Sequence, residues 1–202
     1  AIDFYAGTTA RLLAADIQRS GGMLLSTDLA GYQAVRRKPL SGRFMDYQVL
    51  TMPPPSSGGI ALLQMLGMLE MCHPLPASYS PQYIHLVAQA MRRAFRDRSE
   101  YLGDADFVDV PVDALVSRHH IASLKQGLSV AMKVKTDDLP ATRPVTGESE
   151  QTTHFTVIDR DGGVVSTTYT LNGSYGAAVI SENTGIILNN EMDDFAADVQ
   201  GS

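Results

Sequence analysis

Gln151-Thr152-Thr153-His154-Phe155-Thr156-Val157-Ile158-Asp159 sets an adjacent threonine pair at the head of an alternating strand. A threonine hydroxyl alone is a weak nucleophile. The simplest base for it is its own α-amino group, which exists only after the preceding peptide bond is cut. That amine titrates near neutrality, with an unperturbed pKa of about 7.7–8.0, so it accepts a proton at physiological pH. Cleavage between Gln151 and Thr152 would therefore create nucleophile and base together.

Downstream, Asp159-Arg160-Asp161-Gly162-Gly163 separates two alternating runs, Thr153–Ile158 and Val164–Leu171, and predicts a β-hairpin. In a hairpin the start of the first strand lies beside the end of the second, so Thr152 is expected to face Thr170 or Asn172. Gly185-Ile186-Ile187-Leu188-Asn189-Asn190 reads as a buried strand, followed by an acidic loop, Glu191-Met192-Asp193-Asp194-Phe195.

Upstream the pattern is mainly helical with a strand embedded. Thr9–Gln18 has helix composition and meets Gly21-Gly22, a helix stop. Thr27-Asp28-Leu29 reads as the capped start of a short helix. Arg43–Met52 alternates as one strand and ends at Pro53-Pro54-Pro55. Ile60–Met71 is apolar nearly all round, a buried helix whose Met65, Met68 and Met71 fill core space. The Ser56-Ser57-Gly58-Gly59 stretch before it lacks a Gly-x-Ser-x-Gly elbow and is read as the start of that helix. Ser80-Pro81 opens a long helix with Ile84, Val87, Ala88, Met91 and Phe95 as its core stripe and Tyr83 and His85 as packing residues. A further helix is expected over Asp113–Gln126, stopping near Gly127. The polar stretch 133–150, with Pro140 and Pro144, reads as an exposed linker.

Composition bounds the function. With 202 residues and 44% hydrophobic content the chain can bury a core as one domain or part of one. Residues 1–151 balance 15 basic against 15 acidic side chains, whereas 152–202 hold Arg160 against seven acidic residues, so the net charge of −6 lies in the last quarter. That balance argues against nucleic acid as partner. Arg36-Arg37-Lys38 is read as a solvated turn. A single cysteine, Cys72, forms no internal disulfide and leaves the redox compartment open. Neither Cys72-His73 nor the adjacent His119-His120 has the partners of a metal site, and no metal or cofactor is expected. No apolar run of about 18 residues spans a membrane. The chain starts at Ala1 without a charged or apolar leader, and no signal peptide is expected in it.

The Gln151–Asp159 stretch, Thr167-Thr168-Tyr169-Thr170-Leu171-Asn172 and the Gly185–Phe195 run resemble landmarks of the γ-glutamyltranspeptidase family. So do Pro53-Pro54-Pro55-Ser56-Ser57-Gly58-Gly59 and Asp97-Arg98-Ser99-Glu100-Tyr101-Leu102-Gly103-Asp104, in the same order. The resemblance covers essentially the whole chain. It implies an α+β fold, part of the four-layer αββα sandwich of the N-terminal nucleophile hydrolases. Residues 1–151 would be the C-terminal part of a large-subunit region, ending in the linker at about 133–151. Residues 152–202 would start the small subunit.

The same resemblance implies a zymogen that cuts itself at Gln151-Thr152. Thr152 would be the nucleophile and Thr170 its orienting hydroxyl. Asn172 would hold a polar substrate group, and Glu191 and Asp194 would bind the substrate α-ammonium as paired carboxylates. The implied activity is acyl transfer from glutathione and related γ-glutamyl amides, through a threonine γ-glutamyl ester, to water or to amino acid and peptide acceptors. The implied partners are these small molecules and the remainder of the precursor, in a large- and small-subunit heterodimer. The implied location is periplasmic or extracellular. In the family an arginine upstream, and a serine pair and glycine pair downstream, complete the site, so this segment alone is expected to be a poor catalyst. Two other readings are a related glutaryl- or cephalosporin-type acylase and a non-catalytic, unprocessed fragment.

Overall fold

The helix expected over Thr9–Gln18 is present as Thr8–Arg19 in the computed structural model. Asp3 Oδ1 accepts the Thr8 N–H at 2.8 Å at its start, and Gly21, at φ 87°, lets the chain leave its end. The structure describes residues 1–129 and 152–194, in two units: Ala1–Ala34 with Pro144–Ser202, and Val35–Arg143. The expected linker at 133–150 lies outside the described residues.

In the first unit α1 (Ile2–Ala6), α2 (Thr8–Arg19) and α3 (Ser26–Gly31) pack on one another. Ala10, Leu13 and Ala14 form the buried stripe of α2 at helical spacing, and Tyr5 stacks on Tyr32 with ring centroids 5.7 Å apart. The start of α3 is not made by Thr27. Asp28 Oδ2 reaches back to accept the Leu25 N–H at 2.8 Å, a first-turn carboxylate satisfying a free donor.

The second unit opens with β1 (Leu40–Phe44) and β2 (Tyr47–Thr51), antiparallel with Leu40 opposite Thr51 and Phe44 opposite Tyr47. One strand over Arg43–Met52 was expected; the chain instead reverses at Met45-Asp46, with Met45 at φ 53°. Without glycine or asparagine at this turn, the period-two alternation runs through it unmarked.

Among its described residues this unit has α4 (Gly58–Glu70), α5 (Pro81–Tyr101), α6 (Val112–Leu115) and α7 (Arg118–Lys125). Ile60, Leu63, Met68 and Leu69 of α4 are buried. Met68 and Leu69 join Leu86, Ala90 and Ile121 in one core cluster, with Met65 and Met71 half-buried against it. The start of α4 needs glycine, because a Cβ on Gly59 would lie 1.9 Å from the Met52 carbonyl oxygen. Ser57 precedes it with no side-chain cap bond. Helix α5 is capped as expected, Ser80 Oγ accepting the Tyr83 N–H at 3.2 Å behind Pro81. The helix expected over Asp113–Gln126 is broken in two at Val116-Ser117, where Ser117 Oγ accepts the His120 N–H at 3.2 Å and begins α7.

The inward face of α5 differs from the expected apolar stripe. Leu86, Gln89, Ala90, Ala94 and Asp97 are buried, while Ile84 and Met91 are 57% and 43% exposed and Ala88 is exposed. Buried polar pairing turns the helix this way. Gln64 Nε2 of α4 donates to Asp97 Oδ2 at 2.8 Å and to the Leu115 carbonyl at 3.1 Å, and His120 Nε2 donates to Asp97 Oδ2 at 2.6 Å. Gln89 Nε2 donates to the Ser129 carbonyl at 2.9 Å. Asp97 and the Gln64 and Gln89 side-chain N–H groups are paired inside, where leaving each unpaired would cost about 1–3 kcal/mol, while Gln64 Oε1 and Gln89 Oε1 have no partner among the described residues.

Arg37, expected on a solvated turn, forms an ion pair with Asp106, which lowers the Asp106 carboxyl pKa and raises that of the guanidinium. Cys72 is a half-buried free thiol. Among the described residues no helix is long and apolar enough to cross a membrane.

Gly59→Ala should destabilise the protein by about 1–3 kcal/mol, since the added methyl meets a backbone carbonyl. Gly58→Ala, with nothing nearer than Ser56 Oγ at 3.7 Å, should stay within about 0.5 kcal/mol. Thermal denaturation of the two variants checks the difference.

Candidate functional site

The site is organised by the expected hairpin, β3 (Thr153–Ile158) and β4 (Val164–Tyr169). Its loop is closed by Asp159, whose N–H donates to the Gly163 carbonyl at 2.9 Å and whose Oδ1 accepts the N–H groups of Asp161 and Gly163 at 2.9 and 2.7 Å. Gly162 supplies the positive φ, 84°, that a three-residue hairpin loop requires. This turn fixes the register, with Ile158 opposite Val164 and Thr153 opposite Tyr169.

One step beyond the last pair, Thr152 meets Thr170. The Thr152 hydroxyl donates to Thr170 Oγ1 at 3.0 Å, and the Asn172 N–H donates to the same oxygen at 2.8 Å. Thr170 thus orients the Thr152 oxygen. It is no base, and the α-amino group that a cut would release at Thr152 remains the nearest chemical candidate for that task. Gln151 lies outside the described residues.

Below the pair, on the same strand face, His154 Nδ1 lies 2.8 Å from Thr168 Oγ1 and Nε2 3.0 Å from Ser166 Oγ, which in turn lies 2.8 Å from Thr156 Oγ1. Thr153 sits on the opposite face, across from Tyr169.

Asn172, at φ 68°, turns the chain out of the hairpin. Its Nδ2 donates to the Asn190 carbonyl at 3.2 Å. Asn190 ties the two segments further: its N–H donates to the Leu171 carbonyl at 3.1 Å, its Oδ1 accepts the Gly173 N–H at 2.8 Å, and its Nδ2 donates to Asp193 Oδ2 at 2.9 Å. The acidic stretch Glu191–Asp194 is a 3-10 turn, with the Glu191 N–H held by Asn189 Oδ1 at 3.0 Å. Glu191 Oε1 is buried and has no hydrogen-bond donor among the described residues, an orphaned acceptor in a half-buried carboxylate. The side chain of Asp194 lies outside the described residues.

The buried strand expected before Glu191 is not formed. The segment has one bridge, Ile180 to Ile187, around the turn Ser181–Gly185. That turn is held from elsewhere, by Asp16 of α2, itself only 5% exposed. Asp16 Oδ2 accepts the Ser181 hydroxyl at 2.6 Å and the Asn183 N–H at 2.9 Å; Oδ1 accepts Asn183 Nδ2 at 2.8 Å and pairs with Arg19. The Ser181 hydroxyl first, and the Asn183 amide next, lower the Asp16 pKa to about 2.

The structure therefore links Thr152, Thr170 and Asn172 by hydrogen bonds and sets Glu191 next to Asn190. Asn190, Asp193 and Asp16 were not singled out from the sequence. The signal for Asn190 was the Asn189-Asn190 pair ahead of the acidic turn, since asparagine bonds readily to nearby backbone. Asp16, 165 residues from Ser181, carried no local signal.

The γ-glutamyltranspeptidase family model matches residues 1–202. The chain belongs to this family. It is 42% identical over 196 residues to the glutathione hydrolase proenzyme of Escherichia coli (strain K12), covering 96% of this chain and 34% of the relative. It is 36% identical over 192 residues to an acylase ACY 1 proenzyme of Pseudomonas sp. (strain V22), covering 95% of this chain and 34% of that protein. The crystal structure of Helicobacter pylori γ-glutamyltranspeptidase superimposes with a TM-score of 0.65 at 35% identity, over 74% of this chain and 43% of its own. The chain thus spans about a third of the length of the curated relatives it matches. Its α+β architecture is part of the N-terminal nucleophile hydrolase fold.

Asp16 gives the site region a pH dependence. A carboxyl with a folded pKa of about 2 and an unfolded one of about 3.9 contributes stability that is complete above about pH 4 and is lost as pH falls towards about 2. The stability gap between the native chain and Asp16→Asn should therefore close across that window. Because the leading causes are neutral donors rather than the ion pair, added salt should barely change the gap. Denaturant titrations from pH 7 to pH 2, at two salt concentrations, measure both effects.

Proposed function

We propose that this chain is the processing-site segment of a γ-glutamyltransferase that acts on glutathione and related γ-glutamyl amides. The observation carrying the reading is the hydrogen bond from the Thr152 hydroxyl to Thr170 Oγ1 at the head of the hairpin, in a chain of this family. In the first step Thr152 Oγ attacks the Gln151 carbonyl carbon, the peptide C–N bond breaks, and the acyl group moves to oxygen. Water then hydrolyses that ester, leaving a Gln151 carboxylate and a free Thr152 α-amine.

In turnover the α-amine takes the hydroxyl proton as Oγ attacks the γ-glutamyl carbonyl, and returns it to the departing amine. Water or an amino acid or peptide amine completes the transfer. Glu191 with its unsatisfied oxygen, and Asp194, receive the substrate α-ammonium, while Asn172 holds a polar group near the reacting carbonyl. Residues 1–151 belong to the large subunit and 152–202 begin the small one. The partners are the substrates and the rest of the precursor, and the compartment is periplasmic or extracellular.

The acylase relative supports a second reading, in which the acyl group is a glutaryl type without an ammonium. Carboxylates separate the two. Under the first reading Glu191→Gln raises KM for a γ-glutamyl anilide about tenfold or more with kcat largely kept; under the second, activity stays intact. Processing is tested by intact mass and N-terminal sequencing. A new N-terminus at Thr152 is expected, absent in Thr152→Ala, and a persistent single chain in the whole protein would overturn the self-processing step.

A further inference from the structure

The turn Ser181–Gly185 is closed within itself, by the Gly185 N–H on the Ser181 carbonyl at 2.7 Å and by Thr184 Oγ1 on Ser181 Oγ at 2.6 Å. These bonds shape the turn but do not place it. Its arms are joined by the Ser181 N–H to the Ile186 carbonyl at 2.9 Å, Leu188 N–H to the Val179 carbonyl at 3.0 Å, and Ala177 N–H to the Leu188 carbonyl at 2.9 Å. Two arms this short are marginal alone. Asp16 supplies the placement, since both its oxygens are filled by groups of this turn and by Arg19. From the turn the chain continues through Leu188 and Asn189 to Asn190, which is tied to Leu171, Asn172 and Gly173, and then to Glu191.

A carboxylate buried for stability alone has no advantage over a packed apolar side chain. What it adds is direction: three donors from Ser181 and Asn183 fit only one orientation of the turn. We infer that Asp16 is a positioning residue for Glu191, acting through the Ser181–Gly185 turn. It sits on the far side of the proposed cut, so it also anchors the new small-subunit chain to the large one. The inference rests on the reading of Glu191 given above.

The test uses the whole protein that carries this chain, with Asp16→Asn and the milder Ser181→Ala, on two anilides with one leaving group, γ-glutamyl and glutaryl. The second lacks only the α-ammonium. The native enzyme prefers the γ-glutamyl substrate; for Asp16→Asn, KM on it should rise about tenfold, and the preference should fall by the same factor, while glutaryl turnover stays within about twofold. Ser181→Ala should shift the preference in the same direction by about threefold, and it decides the matter if Asp16→Asn does not fold. Equal losses on both substrates, or an unchanged preference, would overturn the inference. A native enzyme with no preference would overturn the Glu191 reading first, and this inference with it.

Discussion

Everything at the candidate site depends on a register. Because Asp159 and Gly162 close a three-residue loop, Thr153 faces Tyr169, and the next residues out, Thr152 and Thr170, meet hydroxyl to hydroxyl. A slip of one residue would send Thr152 to the other strand face and bring Tyr169 or Leu171 opposite it. The Asn172 N–H on Thr170 Oγ1 then carries that alignment out of the hairpin, and Asn190 passes it to the acidic turn. The chemistry is thus built from backbone geometry first, with side chains reading out positions the turn has already set.

In the Val35–Arg143 unit the decisive contacts are polar as well. Gln64, Asp97 and His120 tie α4, α5 and α7 together inside the unit. The bonds of Gln64 and His120 to Asp97 turn that residue of α5 inward, which leaves Ile84 and Met91 on the outside. Apolar volume supplies the driving force for packing these helices; the buried hydrogen bonds choose among the ways of packing them.

That division explains what the sequence disclosed. Elements marked by local chemistry were legible: the Ser80-Pro81 start, the Asp159–Gly163 turn, the apolar α4 and the facing of Thr152 and Thr170. Features decided by a partner far along the chain were not. Nothing next to Asp97 in the chain marks it as buried, since Gln64 and His120 reach it from other helices, and Asp16 has no local sign of its partners. The reversal at Met45-Asp46 was hidden because a non-glycine residue takes the left-handed conformation there, and Ser117 broke a helix whose apolar period continues past it. Local propensity proposes an element; pairing across distance settles its edges and its facing.

The contrast in loop length between the two key contacts has a consequence for the order of assembly. Thr152 and Thr170 are 18 residues apart and joined by a tight turn, so their meeting is a hairpin event, on the scale of microseconds. Asp16 and Ser181 close a loop of 165 residues, a rarer encounter whose entropy must be lost before any bond repays it. A nascent molecule therefore holds its hydroxyl pair aligned, and Asn190 tied to the hairpin exit, while the Ser181–Gly185 turn still lacks its anchor. On the proposed reading, the reacting pair is in place before the last of the contacts that position the substrate-selecting turn.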